Sequence, residues 1–293
     1  MKVSVRTAMA RLALVVCIIL AGSCARQEPS HPIASIVLQP TSSKLKSASG
    51  NHVLYTDQKC DSVQYATITF AEGLKLDIYF PPRPFATGLV PAVIINNGLN
   101  DTYTTANEGA AFKDLARNID WARIIAARGL VAITYDSLEP PQARGSAPKA
   151  PASTLLLLSF LEKHATDLHI DPSRIAFYSA GATAAGLERV LASAPRNLTR
   201  PVKCVAFNYP FIDATVLPSM KIPILIVQPS GQRDTSHFAI SDWATTLSNK
   251  GYPVQVVQNP SGLVGYDTLQ DTQDTKACIE KIIGFITSHL SSG

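Results

Sequence analysis

Three residues of the types that together transfer acyl groups lie in the second half of this 293-residue chain: Ser179, Asp234 and His237. A serine hydroxyl attacks an ester carbonyl when a base takes its proton and an acid orients that base. The serine must also stand on a sharp strand-to-helix turn, with small residues two positions to either side so that the chain can fold tightly around it. Ser179 lies in Phe177-Tyr178-Ser179-Ala180-Gly181, where Gly181 meets that requirement and Phe177 does not. Asp234 and His237 are the acid and base nearest at hand for such a serine. Asn96, Asn97 and Gly98 form a polar turn, and the Asn97-Gly98 backbone can donate to a developing oxyanion.

A set of this kind needs a sheet whose strands end at one crevice. From Gln64 onward, short β-branched runs alternate with helical stretches, the pattern of a mostly parallel sheet covered by helices on both faces. Residues 65–70 and 75–80 alternate apolar with polar around Glu72-Gly73, which predicts an opening antiparallel hairpin. A buried strand follows at 90–96. A helix over 108–128 spaces Phe112, Leu115, Ile119 and Ile125 helically and stops at Gly129, before a strand at 130–135. A helix at 154–164, a turn at Asp171-Pro172-Ser173-Arg174, a strand at 175–178 and a helix at 182–193 come next. Strands at 202–208, 222–228 and 253–258 enclose a helix at 238–250, and a helix at 275–290 closes the chain. The expectation is an α/β fold of about eight strands. Trp121 and Trp243 fall on helical faces as core residues. Asp101, Thr102, Tyr103 and Asp136 fall at strand carboxyl ends, where open α/β sheets bind ligands.

Hydrophobic residues make up 46% of the chain and charged ones 16%, enough apolar surface for one sizeable folded domain. Lys2, Arg6 and Arg11 precede an apolar run over 12–21 and the small residues Gly22, Ser23 and Ala25, the order of a secretory signal over 1–25. Ala21-Gly22-Ser23-Cys24 resembles the lipobox of bacterial lipoproteins, with Ala21 where Leu is usual. Cys24 is then the lipidated residue, and ordinary cleavage after Ala25 is the alternative. Residues 26–62, rich in Ser, Pro, Gln and Lys, read as a flexible tether, and 63–293 as the domain. Three of the 26 Lys and Arg lie in the signal, leaving 23 against 22 Asp and Glu. A nearly neutral chain with no basic cluster excludes nucleic acid as a partner class. Cys60, Cys204 and Cys278 remain in an oxidising compartment where one pair could bridge, in a spacing that matches no zinc pattern. With no phosphate-binding glycine loop either, no metal and no cofactor is expected.

From about Gln64 to Leu290 the chain resembles the dienelactone-hydrolase-like α/β hydrolases. Three segments carry the likeness: Val93-Ile94-Ile95-Asn96-Asn97-Gly98, Leu168-His169-Ile170-Asp171-Pro172-Ser173-Arg174-Ile175-Ala176, and Gly262-Leu263-Val264-Gly265-Tyr266-Asp267. The resemblance implies the α/β-hydrolase fold. In such relatives the strand before the nucleophile reads Arg, Ile, small, apolar, aromatic, small, any residue, then Ser. Laid on Arg174-Ile175-Ala176-Phe177-Tyr178-Ser179-Ala180, that pattern puts Gly181 at the nucleophile and Ser179 at a small position. The family's catalytic base belongs to a Gly-x-His-Gly-aromatic-Asp segment, and Val264 holds its place. The acid position falls on Gln232, two residues from Asp234. His237 precedes the last strand, outside the family order of Ser, acid, His, and His289 reads as a surface residue of the last helix.

Three functions follow as expectations. The first is an exported hydrolase-fold protein that binds a small ester or carboxylate, or a partner, without turning it over, since Gly181 and Val264 cannot act as nucleophile and base. The second is an active carboxylester hydrolase using Ser179 with Asp234 and His237. The third is a structural protein of the bacterial cell envelope, where the chain is either periplasmic or secreted, or held to the membrane through Cys24.

Overall fold

The computed structural model describes residues 36–82, 88–138, 151–199, 201–213, 215–231 and 235–291, without the side chains of 235–238. The expected signal over 1–25 and Cys24 lie outside these residues. Strands β1 (Gln39–Pro40), β2 (Gln64–Ala71), β3 (Leu74–Phe80), β4 (Val90–Ile95), β5 (Val131–Tyr135), β6 (Ile170–Ala180), β7 (Val202–Asn208), β8 (Ile224–Pro229) and β9 (Val254–Asn259) form one sheet in the order β1-β2-β3-β5-β4-β6-β7-β8-β9. β1, β2, β3 and β5 pair antiparallel in turn, and every pair from β5 onward is parallel. The ninth strand, absent from the sequence reading, is the two-residue β1.

The helices are α1 (Thr41–Leu45), α2 (Asp101–Glu108), α3 (Ala116–Ala127), α4 (Ala152–His164), α5 (Ala184–Ser193), α6 (Arg196–Thr199), α7 (Thr235–Asn249), α8 (Tyr266–Leu269) and α9 (Gln273–Ser291). Strand alternation sends Ile94, Ile133, Phe177 and Val205 to one face, where Leu157, Leu187 and Trp243 from α4, α5 and α7 cover them. Val93, Ala132, Tyr178 and Ala206 go to the other face, under Ile119 and Trp121 of α3 and Ile279 and Ile282 of α9. The result is three layers with a core on each side of the sheet.

Two expectations fail here. The helix expected over 108–128 starts only at Ala116, because Gly109 closes the preceding α2 in the left-handed region at φ 83° and Leu115 is extended before α3 begins. The helical spacing of Phe112 and Leu115 instead serves a 3-10 turn (Phe112–Asp114). The second is the tether expected over 26–62, whose described part from Ile36 packs on the domain. Lys44 is buried, with its Nζ 2.6 Å from Asp77 Oδ2 and 2.5 Å from Asp114 Oδ1. His52 Nδ1 meets buried Asp120 at 2.8 Å, and the Val53 amide donates to the same carboxylate at 3.1 Å.

Asp77 is the hub of that strap. It also accepts from Thr67 at 2.5 Å and lies 3.6 Å from Lys113 Nζ. Removing one partner of a buried ion pair leaves the other charged and unsolvated. Asp77→Ala should therefore cost about 3–5 kcal/mol, read as a lower urea midpoint, while truncation of exposed Asp61, whose partner Arg123 keeps Asp120, should change stability little.

Candidate functional site

Strand β6 turns into α5 through a single 3-10 turn (Gly181–Thr183). Gly181 opens it at φ 56°, a left-handed conformation that favours glycine. A Cβ there would lie 3.6 Å from Cε2 of Tyr209, an ordinary contact, so backbone strain rather than space opposes a side chain.

Ser179 lies two residues earlier, inside β6 and in register with Phe207 of β7. Alternation puts it on the face of Ile175 and Phe177, towards the α4, α5 and α7 layer. It is 1% exposed, and its Oγ is 2.7 Å from Oγ1 of Thr183. The Thr183 hydroxyl donates to the Ala180 carbonyl at 2.9 Å, which leaves the Ser179 hydroxyl as donor to Thr183.

The turn after β4 packs directly on this one. Asn96 Nδ2 donates to the Thr183 carbonyl at 2.9 Å, and the Tyr135 hydroxyl donates to Asn96 Oδ1 at 3.1 Å. Asn97 is fully buried, with Nδ2 donating at 3.2 Å both to Asp101 Oδ1 and to the Tyr135 carbonyl. A Cβ on Gly98 would stand 2.2 Å from the Thr183 carbonyl oxygen, and one on Gly186 would stand 2.4 Å from Gly98 Cα. These two glycines let the β4 loop, the turn and α5 meet backbone to backbone. Asp101 accepts from the amides of Phe112 (2.8 Å) and Ser137 (2.5 Å), and Asp136 accepts from the Lys75 amide (2.9 Å), so both brace loops. Tyr103 projects into solvent.

On the far side of Gly181 lies a buried polar cluster. Tyr209, at φ 39°, donates from its hydroxyl to Asp267 Oδ1 at 2.8 Å. Trp121 Nε1 donates to the other carboxylate oxygen at 2.8 Å. Asn208 donates to the Tyr178 hydroxyl at 3.1 Å and accepts from the Tyr266 hydroxyl at 2.7 Å. Burial pushes the Asp267 carboxyl above the usual aspartate range, against the pull of its Trp121 and Tyr209 donors. Tyr209 thus spans from Gly181 to a fully buried acid.

Val264 is partly buried against the α3 and α9 core, one residue before Gly265 at φ 78°. Gln232 and Asp234 lie outside the described residues. His237 falls in the first turn of α7, its side chain likewise outside them. Ser179 is therefore brought together with Thr183, and not with any described acid or base. His289 sits in the last turn of α9, with Nδ1 donating to the Phe285 carbonyl at 2.8 Å. Cys60, Cys204 and Cys278 are free, buried thiols rather than a bridged pair, and burial pushes Cys204 up to about 12. Among the described residues no group of three His, Cys, Asp or Glu is placed to hold a metal.

The sequence reading missed Thr183, Tyr209 and Asp267 as site residues. Asp267 left a signal, an acid ending an otherwise uncharged segment just after the last strand. Tyr209 left none, because its position depends on a backbone angle.

The two kinds of glycine can be told apart by mutation. Gly98→Ala must displace the Thr183 carbonyl and should cost about 2–3 kcal/mol, at the upper end of overpacking losses. Gly181→Ala meets no clash and should cost about 1–2 kcal/mol of backbone strain. Urea unfolding of both variants checks the order, and equal losses would contradict the packing described.

No protein-family model matches the chain, and no curated protein matches it. Solved structures do. Brefeldin A esterase, a bacterial homologue of human hormone-sensitive lipase, superposes with a TM-score of 0.60 at 14% identity, over 95% of this chain and 93% of its own. A fungal esterase from Rhizomucor miehei gives 0.58 at 14% identity, over 86% and 89%. Esterase LipW from Mycobacterium marinum gives 0.57 at 16% identity, over 78% and 81%. None of these three is described as a dienelactone hydrolase. The likeness covers most of every chain compared, and with the sheet order and the sharp β6-to-α5 turn it establishes that this protein has the α/β-hydrolase fold.

Proposed function

We propose that the chain is a hydrolase-fold protein that binds a small ester or carboxylate at the β6-to-α5 turn and does not hydrolyse it. One observation carries the reading. The residue at the apex of the strand-to-helix turn, where this fold presents its nucleophile, is Gly181, which has no hydroxyl to offer. Two others support it. The serine nearest that apex, Ser179, is buried and donates to Thr183. The segment that in dienelactone-hydrolase-like relatives carries the base holds Val264, packed on the core. The same proposal places the protein in the bacterial envelope, exported by the signal over 1–25 and attached to the membrane where Cys24 is lipidated.

A second reading, an esterase that uses Ser179 with Asp234 and His237, is favoured by the comparisons, since the three structural neighbours described above are all named esterases. It requires β6 to rearrange, because the Ser179 hydroxyl would have to leave Thr183 and cross to the crevice side of the strand.

Turnover and binding separate the two. Under the binding reading, kcat/KM for p-nitrophenyl acetate is the same in wild type and Ser179→Ala within twofold. A short-chain carboxylate at about 100 times its Kd then stabilises the fold by about 2.7 kcal/mol, seen as a rise in Tm. A loss of 100-fold or more in Ser179→Ala would establish the esterase instead. No thermal shift across a series of carboxylates and esters would remove the binding role.

A further inference from the structure

Helix α5 buries Leu187, Val190 and Leu191, as its apolar spacing requires, and also Glu188, which is 2% exposed. Acidic side chains are rarely buried so fully unless paired. Among the described residues Glu188 has one hydrogen-bond partner: its Oε2 accepts the backbone N–H of Asp213 at 3.0 Å, while Oε1 has none.

Asp213 belongs to the segment that continues from β7 over the Gly181 turn. The segment is stitched down at four points. The Tyr209 amide donates to the Val227 carbonyl at 2.9 Å and its hydroxyl to Asp267, the Phe211 amide donates to the Gly181 carbonyl at 2.9 Å, and the Asp213 amide donates to Glu188. Farther along, Trp243 Nε1 donates to the Val216 carbonyl at 3.0 Å, which ties the same stretch to α7.

Among the described residues two charged groups face Glu188. From the segment comes the Asp213 carboxylate, which the Thr215 hydroxyl and amide hold below the usual aspartate range. From its own helix comes Arg189, whose Nε has no hydrogen-bond partner. The turn at 181–183 is Gly-Ala-Thr and brings no titratable side chain. A carboxylate at this place would have one donor, an orphaned oxygen and a like charge opposite it, so the neutral acid is the form that fits the closed arrangement.

We propose that Glu188 is a proton-dependent latch on the 209–213 segment, closed over the Gly181 turn while its carboxyl is protonated and released when the proton leaves for solvent. Release carries Phe211 away from the Gly181 carbonyl and uncovers the turn there, while Tyr209 stays anchored to Val227 and Asp267. Only the statement of what is exposed rests on the binding reading above, since the latch itself is read on the segment.

Burial raises the closed-state carboxyl from the ordinary 4.5 to about 8. A raised carboxyl contributes its full stability below the unperturbed value and loses it as pH climbs through the perturbed one. Closure is therefore strongest at acid pH and weakens up to about pH 8. Linkage between these two values makes the opening equilibrium on the order of 10- to 100-fold more favourable at pH 9 than at pH 6.

Hydrogen–deuterium exchange of the full chain at pH 6 and pH 9, corrected for the intrinsic pH dependence of exchange, tests the latch on peptides covering 209–217. Protection of the Phe211 and Asp213 amides should fall by that factor in wild type. In Glu188→Gln, which keeps an acceptor but cannot ionise, it should change less than threefold. Equal protection of wild type at the two pH values overturns the latch, and needs no variant to fold. An equal fall in wild type and Glu188→Gln overturns it as well, by assigning the change to another group. Carboxylate binding and ester turnover do not enter either readout, so the failure of the functional reading and the failure of the latch are separately visible.

Discussion

Between β6 and α5 the chain passes from strand to helix within three residues, and a left-handed residue at Gly181 makes that possible. The turn is stable because Thr183 closes it from inside. Its hydroxyl donates to the Ala180 carbonyl and receives both the Ala180 amide and the Ser179 hydroxyl. Its carbonyl receives Asn96. Gly98 and Gly186 then allow the β4 loop and α5 to close on it without an intervening side chain. The turn also ends the strand's alternation: Ser179 still faces the helical layer with Ile175 and Phe177, whereas Gly181, two residues on and past the end of β6, lies against Tyr209 of the other face.

What fills the crevice side follows from the same constraint. The Tyr209 ring lies beside position 181, close enough that a Cβ there would just touch it, and is anchored by Asp267. A buried carboxylate is tolerable only when its oxygens are satisfied, and Trp121 and Tyr209 donate to both. The cluster joins β7, α3 and α8, three elements that share no local sequence. The strap at 36–62 is tied into it as well, since the Leu54 amide donates to the Asp267 carbonyl at 2.9 Å. Core, strap and site are thus braced through one acid.

The sheet was legible in the sequence because period-two alternation and β-branched runs are local, and β7 falls at the expected residues. The late start of α3 was not, because Phe112 and Leu115 keep helical spacing with Ile119 while the backbone between them is a 3-10 turn and an extended residue, which a spacing argument does not register. The strap misread as tether shows a different limit. Its Ser- and Lys-rich composition reads as linker, yet Lys44 is buried against Asp77, 33 residues away, and no local window contains that partner. At the site, the place of Gly181 was legible only through the resemblance, since the relatives' pattern laid from Arg174 onward ends on Gly181, where β6 turns. Tyr209 and Glu188 were not legible, because their roles depend on which loop the fold lays over the turn.

On the binding reading, the apex of the turn carries no nucleophile and Ser179 stays inside the strand. Reaction of the folded, mature protein with a fluorophosphonate probe, followed by intact-mass analysis and peptide mapping, tests it most directly. The account predicts no adduct under conditions that fully label an esterase of the same fold. A single adduct mapped to Ser179 would contradict it, by showing that this hydroxyl reaches the crevice and is activated there.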